Sequence, residues 1–303
     1  MSSILASAVQ AAPVFFDKEK TVQKIGDLIT ECAKTKSQLI LFPEVFIPGY
    51  PRGLTFGASV GGRTPQGRDL FLRYWENAIE VPGRETAQIG NWAKAAKAYV
   101  VVGVTEKDKT SDTLYCTLLY FSPEGNLLHK HRKIKPTASE RIIWGEGDGR
   151  DLNVLDTSIG KLGGLVCWEN YMPLARMALY QQGIEIYVAP TADCRDTWQA
   201  TLAHIACEGR CFVIGCNQYL TKEHYPPDLQ SLLQDDHPSL PSTGGSVIIN
   251  PLGKVLAGPL FGKEGIISAE IDHRDIVRAK MDFDVIGHYA RPDIFAFEWL
   301  KSK

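Results

Sequence analysis

Short apolar runs alternate with segments of helical period along most of the chain, and this alternation constrains the fold more than any other feature. Residues 4–10 and 38–44 (QLILFPE) are apolar runs of strand length, and residues 22–32 between them carry apolar side chains at helical spacing. Strands interleaved with helices are typical of α/β proteins. Because 303 residues are enough to bury a large core, we expect a single α/β domain over residues 1–303.

The same pattern predicts further elements downstream. They are a helix around Ile89–Ala96, a strand over 99–106, a hairpin within 113–135, a strand over 161–167, a helix beginning at Pro173, a strand over 184–191, a helix around Trp198–Ile205, and strands over 211–218, 245–250 and 265–271. Asp17 and Asp272 are predicted helix caps. Residues 49–69 and 222–245 are rich in Gly, Pro and polar residues, and we expect both stretches to be irregular loops.

Charge and cysteine content exclude several classes of function. The chain has 33 basic and 35 acidic side chains, a net charge of −2, so nucleic acid and acidic membranes are not expected partners. No stretch approaches the roughly 20 apolar residues needed to cross a bilayer, and the N-terminus lacks the pattern of a secretory signal. We therefore expect a cytoplasmic protein whose seven cysteines are free thiols.

Three polar residues follow directly on apolar or strand-like runs. Glu44 ends QLILFPE, Lys133 follows LLHKHR, and Cys167 follows GGLV. In open α/β sheets, reactive groups gather at the carboxyl ends of strands. A thiolate nucleophile needs a base to take its proton and a cation to stabilise the charge that develops on the attacked group. Glu44 and Lys133 meet these needs, although each of the three residues taken singly is also compatible with a structural role.

Other cysteines and histidines do not form a convincing metal site. Cys207, Cys211 and Cys216 follow a helix into an apolar strand without a Cys-x-x-Cys pair, a spacing that favours core packing. His129 and His131 would share one face of a strand, but the sequence offers no third ligand. We expect neither a metal ion nor a cofactor.

Three long motifs then identify a family resemblance. FPEVFIPGYPRG, HRKIKPTASERIIWGEGDG and CWENYMPLARMALY resemble the signature regions of the nitrilases within the carbon-nitrogen hydrolase superfamily. The likeness continues through IEIYVAPTAD, AHIACEGRCFVI and GGSVIINPLGKVLAGP, and it covers essentially the whole chain. The downstream blocks and the YPRGLTFG loop look most like the plant and fungal nitrilases related to cyanoalanine-hydrolysing enzymes.

The resemblance implies a four-layer α-β-β-α sandwich with Glu44 as general base, Lys133 as the cation near the intermediate, and Cys167 as nucleophile. Glu140, in the PTASER block, matches the family position that orients the lysine. The implied activity is hydrolysis of a nitrile to the carboxylic acid and ammonia through a thioimidate and a thioester on Cys167. An amide is an expected minor product.

The resemblance also implies where the substrate binds. Ala192 and Asp193 lie where family members differ in substrate preference, and they are predicted to form a specificity wall. Glu169 is expected to hold the turn after Cys167 by hydrogen bonds. Aromatic residues within or beside the motifs are candidates for pocket lining, with ordinary core packing as the alternative; they are Tyr50, Phe56, Trp144, Trp168 and Tyr171.

Several functional alternatives stay open at this point. An amidase or carbamoyl hydrolase would use the same three residues on another substrate, and an idle family member would act only in binding or assembly. For a nitrilase, 3-cyanoalanine, arylacetonitriles and aliphatic nitriles are all candidate substrates. Family likeness further implies homo-oligomers, from dimers to helical filaments.

Overall fold

The computed structural model describes residues 3–233 and 242–299. In chain order the strands are β1 (Ile4–Gln10), β2 (Leu39–Leu41), β3 (Ala58–Ser59), β4 (Gly62–Arg63), β5 (Ile79–Glu80), β6 (Tyr99–Lys107), β7 (Leu114–Phe121), β8 (Leu127–Arg132), β9 (Leu155–Thr157), β10 (Gly160–Gly164), β11 (Ile186–Thr191), β12 (Phe212–Asn217), β13 (Tyr219–Leu220), β14 (Ser242–Ile249), β15 (Val255–Phe261) and β16 (Gly265–Ile271). The helices are α1 (Lys18–Lys34), α2 (Pro65–Glu76), α3 (Arg84–Ala96), α4 (Pro173–Tyr180), α5 (Asp196–Gly209), α6 (Pro227–Gln230) and α7 (Arg274–Ala279).

The strands form two large sheets and one small hairpin. The first sheet has the order β16-β1-β2-β6-β7-β8, with β5 beside β6, and the second has the order β13-β14-β12-β11-β10-β9, with β15 beside β14. Strands β1, β2 and β6 are mutually parallel, as are β10, β11 and β12. Strand β8 also runs in the direction of β6, because each is antiparallel to β7 between them. The carboxyl ends of β2, β6 and β8 therefore lie at one edge of the first sheet.

Three buried clusters show how the layers stack. Side chains of both sheets, such as Leu41 and Val188, share the central cluster. The alternate residue Ile40 points the other way and packs with apolar residues of α1 and α3, whereas Tyr187 packs with those of α4 and α5. Because successive strand residues face opposite sides, each sheet is covered on both faces. The predicted four-layer α-β-β-α sandwich is confirmed.

Most of the predicted elements are present, with small shifts at their ends. Asp17 caps α1 by accepting a hydrogen bond from the Lys20 N–H, and Pro173 is the first residue of α4. The hairpin predicted within residues 113–135 is the antiparallel pair β7–β8. Asp272 was predicted as a cap, but the N-cap of α7 is the next residue, and Asp272 instead accepts from the Arg274 N–H.

The prediction of two irregular loops was too simple. Residues 49–69 contain the hairpin β3–β4 and the start of α2, which Thr64 caps by accepting from the Gly67 N–H. Residues 222–233 contain a 3-10 turn and α6, and β14 begins at residue 242. The remaining part of the second predicted loop, residues 234–241, lies outside the described residues.

Two further sequence predictions concern the oxidation state of the cysteines and the presence of membrane-spanning helices. All seven cysteines are free thiols, as predicted. Cys216 donates hydrogen bonds from the second sheet to backbone carbonyls of Val9 and Leu41 in the first, so it joins the facing sheets. Within residues 3–233 and 242–299, no helix combines the length and apolar character required to cross a membrane.

Candidate active site

Glu44 and Lys133 meet at the edge where β2 and β8 end. Lys133 directly follows β8, and Glu44 lies three residues beyond β2, so the predicted strand 38–44 is shorter than expected. The Lys133 Nζ atom donates to Glu44 Oε1 at 2.7 Å. Both side chains are almost completely buried, with exposures of 1 and 0 %.

A glycine on β6 allows the chain to place Glu44 there. A Cβ atom at Gly103 would lie 2.4 Å from the Pro43 carbonyl oxygen and 2.7 Å from Glu44 Cα. The backbone after β2 therefore rests against β6, and Phe46 N–H donates to the Gly103 carbonyl at 2.7 Å. Only glycine permits this close approach.

Glu140 completes the cluster around the ammonium group. It lies in a 3-10 helix over Ala138–Ile142, a few residues after β8, and its Oε2 accepts from Lys133 Nζ at 2.8 Å. The Thr137 N–H donates to the same oxygen at 2.6 Å, and the Tyr50 hydroxyl donates to Oε1 at 2.7 Å. Glu140 is therefore a second carboxylate partner of Lys133 beside Glu44.

Glu44, Glu140 and Lys133 are buried together, and this burial and their mutual charges determine their proton affinities. Burial raises the pKa of Glu44 above its usual range, although the Lys133 charge opposes the shift. Burial alone would lower the pKa of Lys133, but Glu44 and Glu140 outweigh it and raise that pKa well above its usual value. Lys133 is therefore a permanent cation, and Glu44 has a strong affinity for a proton.

The two oxygens of Glu44 differ in their hydrogen bonds. Oε1 accepts from Lys133 and, at 3.6 Å, from the Cys116 thiol. Oε2 is buried and has no hydrogen-bond partner among the described residues. A buried carboxylate oxygen without a donor is costly, so Oε2 is the free acceptor of the cluster.

Cys167 lies at the corresponding edge of the second sheet, three residues after β10. It is the first residue of a 3-10 helix over Cys167–Tyr171 and adopts a left-handed φ of 52°, a strained conformation for a residue with a side chain. The Thr191 hydroxyl donates to Sγ at 3.0 Å. Burial raises the pKa of the thiol, and the charge of Glu44 adds to this shift. A neighbouring base is therefore needed to form the thiolate.

Glu169 ties the Cys167 turn to the segment that carries Lys133. Its Oε2 accepts from the Val166 N–H at 2.8 Å, and its Oε1 accepts from the Ile134 N–H at 2.6 Å. These bonds confirm that Glu169 holds the turn. Val166 and Ile134 are the immediate neighbours of Cys167 and Lys133. Glu169 therefore helps to set the distance between Cys167 and Lys133.

His131 lies behind Glu169 and pairs with it. Its Nε2 contacts both Glu169 carboxylate oxygens at 3.1–3.2 Å, and its Nδ1 contacts Asp151 Oδ1 at 2.8 Å. Burial alone would lower the pKa of His131, but the carboxylates of Glu169 and Asp151 raise it to about 10. His131 is therefore an imidazolium near neutral pH. His129 Nε2 bonds the Asp151 carbonyl, so the two histidines share one face as predicted.

A pocket of about 320 Å³ opens over Cys167 and Glu140. Glu44 and Lys133 lie behind its wall. The predicted residues Tyr50, Trp168, Ala192 and Asp193 line it, together with residues that the sequence did not single out: Arg52, Thr137, Cys194 and Arg195. The thiol is thus 4 % exposed and reachable from the pocket.

Three predicted lining residues are placed elsewhere. Trp144 lies beside an adjacent depression of about 160 Å³, because its ring packs between Tyr50 and Tyr74 with centroids at 5.7 and 6.5 Å. Phe56 lines a separate depression of about 230 Å³. Tyr171 is exposed and packs edge-on against Trp168, outside the pocket lining.

The outer rim of the pocket is built around Asp193. Its Oδ2 accepts from Trp168 Nε1 at 2.8 Å and from the Arg195 guanidinium, which lies over the Trp168 ring at 4.8 Å. Burial alone would raise the pKa of Asp193, but the Arg195 and Trp168 donors lower it. Across the pocket, Arg52 donates to the Ala192 carbonyl. Hydrogen bonds thus join Asp193, Trp168 and Arg195 on one side of the pocket.

No metal centre is apparent in the part of the chain that the structure describes, where no three His, Cys, Asp or Glu side chains form a suitable group. Cys211 and Cys216 are buried in the packed clusters, and Cys207 is half-buried. The packing interpretation of Cys211 and Cys216 is therefore confirmed.

Comparison with known proteins gives the class to which this fold and site correspond. The carbon-nitrogen hydrolase family model matches residues 5–281, and the chain belongs to that family. Among solved structures, that of Nit3 from Saccharomyces cerevisiae, a member of branch 10 of the nitrilase superfamily, aligns with a TM-score of 0.73 at 23 % identity, covering 95 % of this chain and 96 % of the other.

Curated relatives narrow the resemblance to nitrilases. The chain is 50 % identical over 298 residues to a bifunctional nitrilase/nitrile hydratase of Nicotiana tabacum, covering 97 % of this chain and 85 % of the relative. It is also 50 % identical over 295 residues to an aliphatic nitrilase of Sinorhizobium fredii, covering 97 and 95 %. The predicted family, including its relation to plant nitrilases, is confirmed.

Proposed function

We propose that the protein is a nitrilase, which converts an organic nitrile and two water molecules to a carboxylic acid and ammonia. The observation that carries the proposal is the Cys167 thiol on the pocket wall, which Glu140 also lines, with the buried pair of Glu44 and Lys133 hydrogen-bonded to this cluster. The names of the relatives at about 50 % identity support the same reaction class.

In the first half of the reaction, Glu44 accepts the thiol proton through its free Oε2. The Cys167 sulfur attacks the nitrile carbon, one C–N π bond breaks, and the nitrogen takes the proton to give a thioimidate. Lys133 stabilises the charge on nitrogen, with the backbone N–H of Trp168 as a second donor. Glu140 and Tyr50 position Lys133 for this task.

In the second half, Glu44 removes a proton from water, which adds to the thioimidate carbon. The tetrahedral intermediate expels ammonia and leaves a thioester on Cys167. A second water molecule hydrolyses the thioester to the acid and restores the thiol. If the tetrahedral intermediate expels sulfur instead of ammonia, an amide leaves, and the name of the tobacco relative supports this minor route.

The test is Cys167→Ala measured by ammonia release, with Cys207→Ala as the matched control because Cys207 lies on α5 away from the pocket. We expect no ammonia from Cys167→Ala, wild-type rates from the control, and unchanged circular dichroism for both. Ammonia release by Cys167→Ala at the wild-type rate would refute the proposal.

A substrate panel separates the alternatives. Ammonia, acid and amide are measured for 3-cyanoalanine, an arylacetonitrile, an aliphatic nitrile and the amide matching each nitrile. A nitrilase turns over nitriles faster than amides, whereas an amidase or carbamoyl hydrolase shows the reverse. An idle family member turns over none of them and would show no substrate protection of its Cys167 thiol against alkylation.

The remaining sequence predictions belong to the same proposal. They are one carbon-nitrogen hydrolase domain over residues 1–303, a homo-oligomer ranging from a dimer to a helical filament, and a cytoplasmic location. Light scattering measures the assembly, and a fully active dispersed monomer would contradict it.

A further inference from the structure

Thr191 is the last residue of β11 and lies beside the Cys167 turn. Strands β10 and β11 are parallel, so their carboxyl ends lie at the same edge of the second sheet. The Thr191 side chain is buried, with an exposure of 1 %, and its hydroxyl Oγ1 lies 3.0 Å from Cys167 Sγ. The hydroxyl thus contacts the sulfur directly.

A second hydrogen bond fixes the direction of the Thr191 hydroxyl. The Asp193 N–H donates to Thr191 Oγ1 at 2.9 Å, which occupies a lone pair and leaves the hydroxyl proton to point elsewhere. Among the hydrogen bonds of the described residues, Cys167 Sγ is the acceptor that this proton reaches. Oγ1 is therefore preorganised as a donor to sulfur before any substrate arrives.

We propose that Thr191 is a further catalytic residue, which stabilises the Cys167 thiolate when sulfur attacks and again when sulfur leaves. The inference rests on the proposed function for its place in turnover, but the thiolate itself can be tested without a nitrile. Thr191 keeps its proton throughout: Glu44 removes the proton of the thiol, and the Thr191 O–H shortens its hydrogen bond to the sulfur anion.

The surroundings of Cys167 disfavour its thiolate form. The charged and titratable groups around Cys167 include Glu44, Lys133, Glu140 and Tyr50, together with Arg52, Asp193, Cys194 and Arg195 of the pocket lining. Burial and the charge of Glu44 raise the pKa of the thiol, whereas Lys133 and the Thr191 hydrogen bond oppose the shift. A hydroxyl supplies a donor here without adding a charge that would have to be buried.

Thr191→Val and Thr191→Ser separate the hydroxyl from the packing of the side chain. Valine keeps the shape and loses the donor, whereas serine keeps the donor and loses a methyl group. The first measurement is the rate of Cys167 alkylation by iodoacetamide from pH 6 to 10, with the labelled peptide identified by mass spectrometry and Cys167→Ala as the blank. The second is kcat and KM for a nitrile found active in the panel.

For Thr191→Val, we expect the rate of Cys167 alkylation at each pH to fall about ten- to a hundredfold, and kcat to fall by a similar factor, with KM little changed. Thr191→Ser should stay close to wild type in both. An unchanged alkylation profile for Thr191→Val overturns the inference, and so does a Thr191→Ser profile that matches the valine variant.

The two measurements also separate this inference from the nitrilase proposal. If no nitrile is hydrolysed but the alkylation profile shifts, the thiolate contact stands and the nitrilase proposal fails. If nitriles are hydrolysed and the profile does not move, the nitrilase proposal stands and the role of Thr191 fails.

Discussion

Two buried clusters flank the end of β8, and each holds two carboxylates and one cation. The Lys133 cluster comprises Glu44, Lys133 and Glu140, and the His131 cluster comprises His131, Asp151 and Glu169. Their net charge is the same when the cations are protonated. They differ in how completely their carboxylate oxygens are hydrogen-bonded.

In the His131 cluster every carboxylate oxygen accepts a hydrogen bond. Asp151 uses Oδ1 for His131 and Oδ2 for the Arg132 N–H, and both oxygens of Glu169 have backbone donors. In the Lys133 cluster, Glu44 Oε2 has no partner among the described residues. A satisfied buried network rigidifies a structure, whereas an unsatisfied acceptor is an energetic cost. The difference indicates that the His131 cluster serves the fold and the Lys133 cluster serves chemistry.

The largest expected effect is on turnover, from Glu44→Gln. The amide removes the base but leaves Lys133 paired with Glu140, so kcat should fall by about 10²–10⁴-fold. The free energy of unfolding should stay within about 1 kcal/mol of wild type, since a buried carboxylate with an empty acceptor is lost. Ammonia release and denaturant unfolding measure the two effects.

Glu146→Gln is the matched control for that substitution, because Glu146 is half-exposed and paired only at the surface. It should change neither quantity. The contrary outcome is that Glu44→Gln unfolds the protein while its folded fraction keeps wild-type turnover. That result would refute the chemical role of the Lys133 cluster.

The opposite pattern is expected from His131→Gln. Removing the imidazolium leaves the buried Glu169 and the partly buried Asp151 without their shared cation, and losing one partner of a buried ion pair costs about 3–5 kcal/mol. Turnover per folded molecule should stay within about tenfold. Urea unfolding measures the free energy of unfolding, and active-site titration with iodoacetamide gives the fraction of active molecules. A stable but inactive His131→Gln variant would contradict the assignment of the His131 cluster to stability and of the Lys133 cluster to chemistry.

The His131 cluster should also make stability depend on pH. The pKa of His131 is raised in the folded state to about 10 from its ordinary 6.5, so its contribution is complete below pH 6.5 and is lost as pH rises towards 10. The difference in unfolding free energy between wild type and His131→Gln should therefore be largest near pH 6, where Glu169 and Asp151 are still ionised, and shrink as pH rises towards 10. Taking the difference cancels the titration of groups that do not interact with His131, and a constant difference between pH 6 and 10 would show that His131 is neutral in the folded state.

The sequence predicted the Lys133 cluster better than the rest of the site. Glu44 and Cys167 follow apolar runs, Lys133 follows a strand-like run, and reactive groups gather at the carboxyl ends of strands. The layers were predicted through the family resemblance, and alternation of apolar residues is consistent with them. The placement of Glu44, Lys133 and Cys167 at strand ends depends on local pattern, which a sequence displays directly, whereas Glu140 and the layers were predicted through the resemblance.

Contacts across strands were harder to predict. Thr191 lies in a buried apolar strand, and its partner sulfur is in the turn that follows the neighbouring strand β10, 24 positions away in sequence. Trp144 belongs to a recognisable motif, but which side of Tyr50 it packs on depends on Tyr74 from α2. The start of α2 was hidden because its cap, Thr64, follows a glycine-rich hairpin that suggested a loop.

The smallest expected effect on stability comes from removing a solvent-exposed ion pair. Lys135 and Glu146 form a salt bridge whose side chains are 51 and 52 % exposed, only a few residues along the chain from Lys133. Water screens such a pair, so Lys135→Met should change the free energy of unfolding by less than about 1 kcal/mol and leave kcat unaltered. Lys135→Met is measured together with His131→Gln under identical conditions. The pair tests whether burial makes the ion pairs of the Lys133 and His131 clusters contribute more to the free energy of unfolding. An equal loss of stability in both variants would mean that the number of charges, and not their desolvation, determines how much each ion pair stabilises the protein. The contrast between the Lys133 and His131 clusters would then rest on the unpartnered oxygen of Glu44 alone.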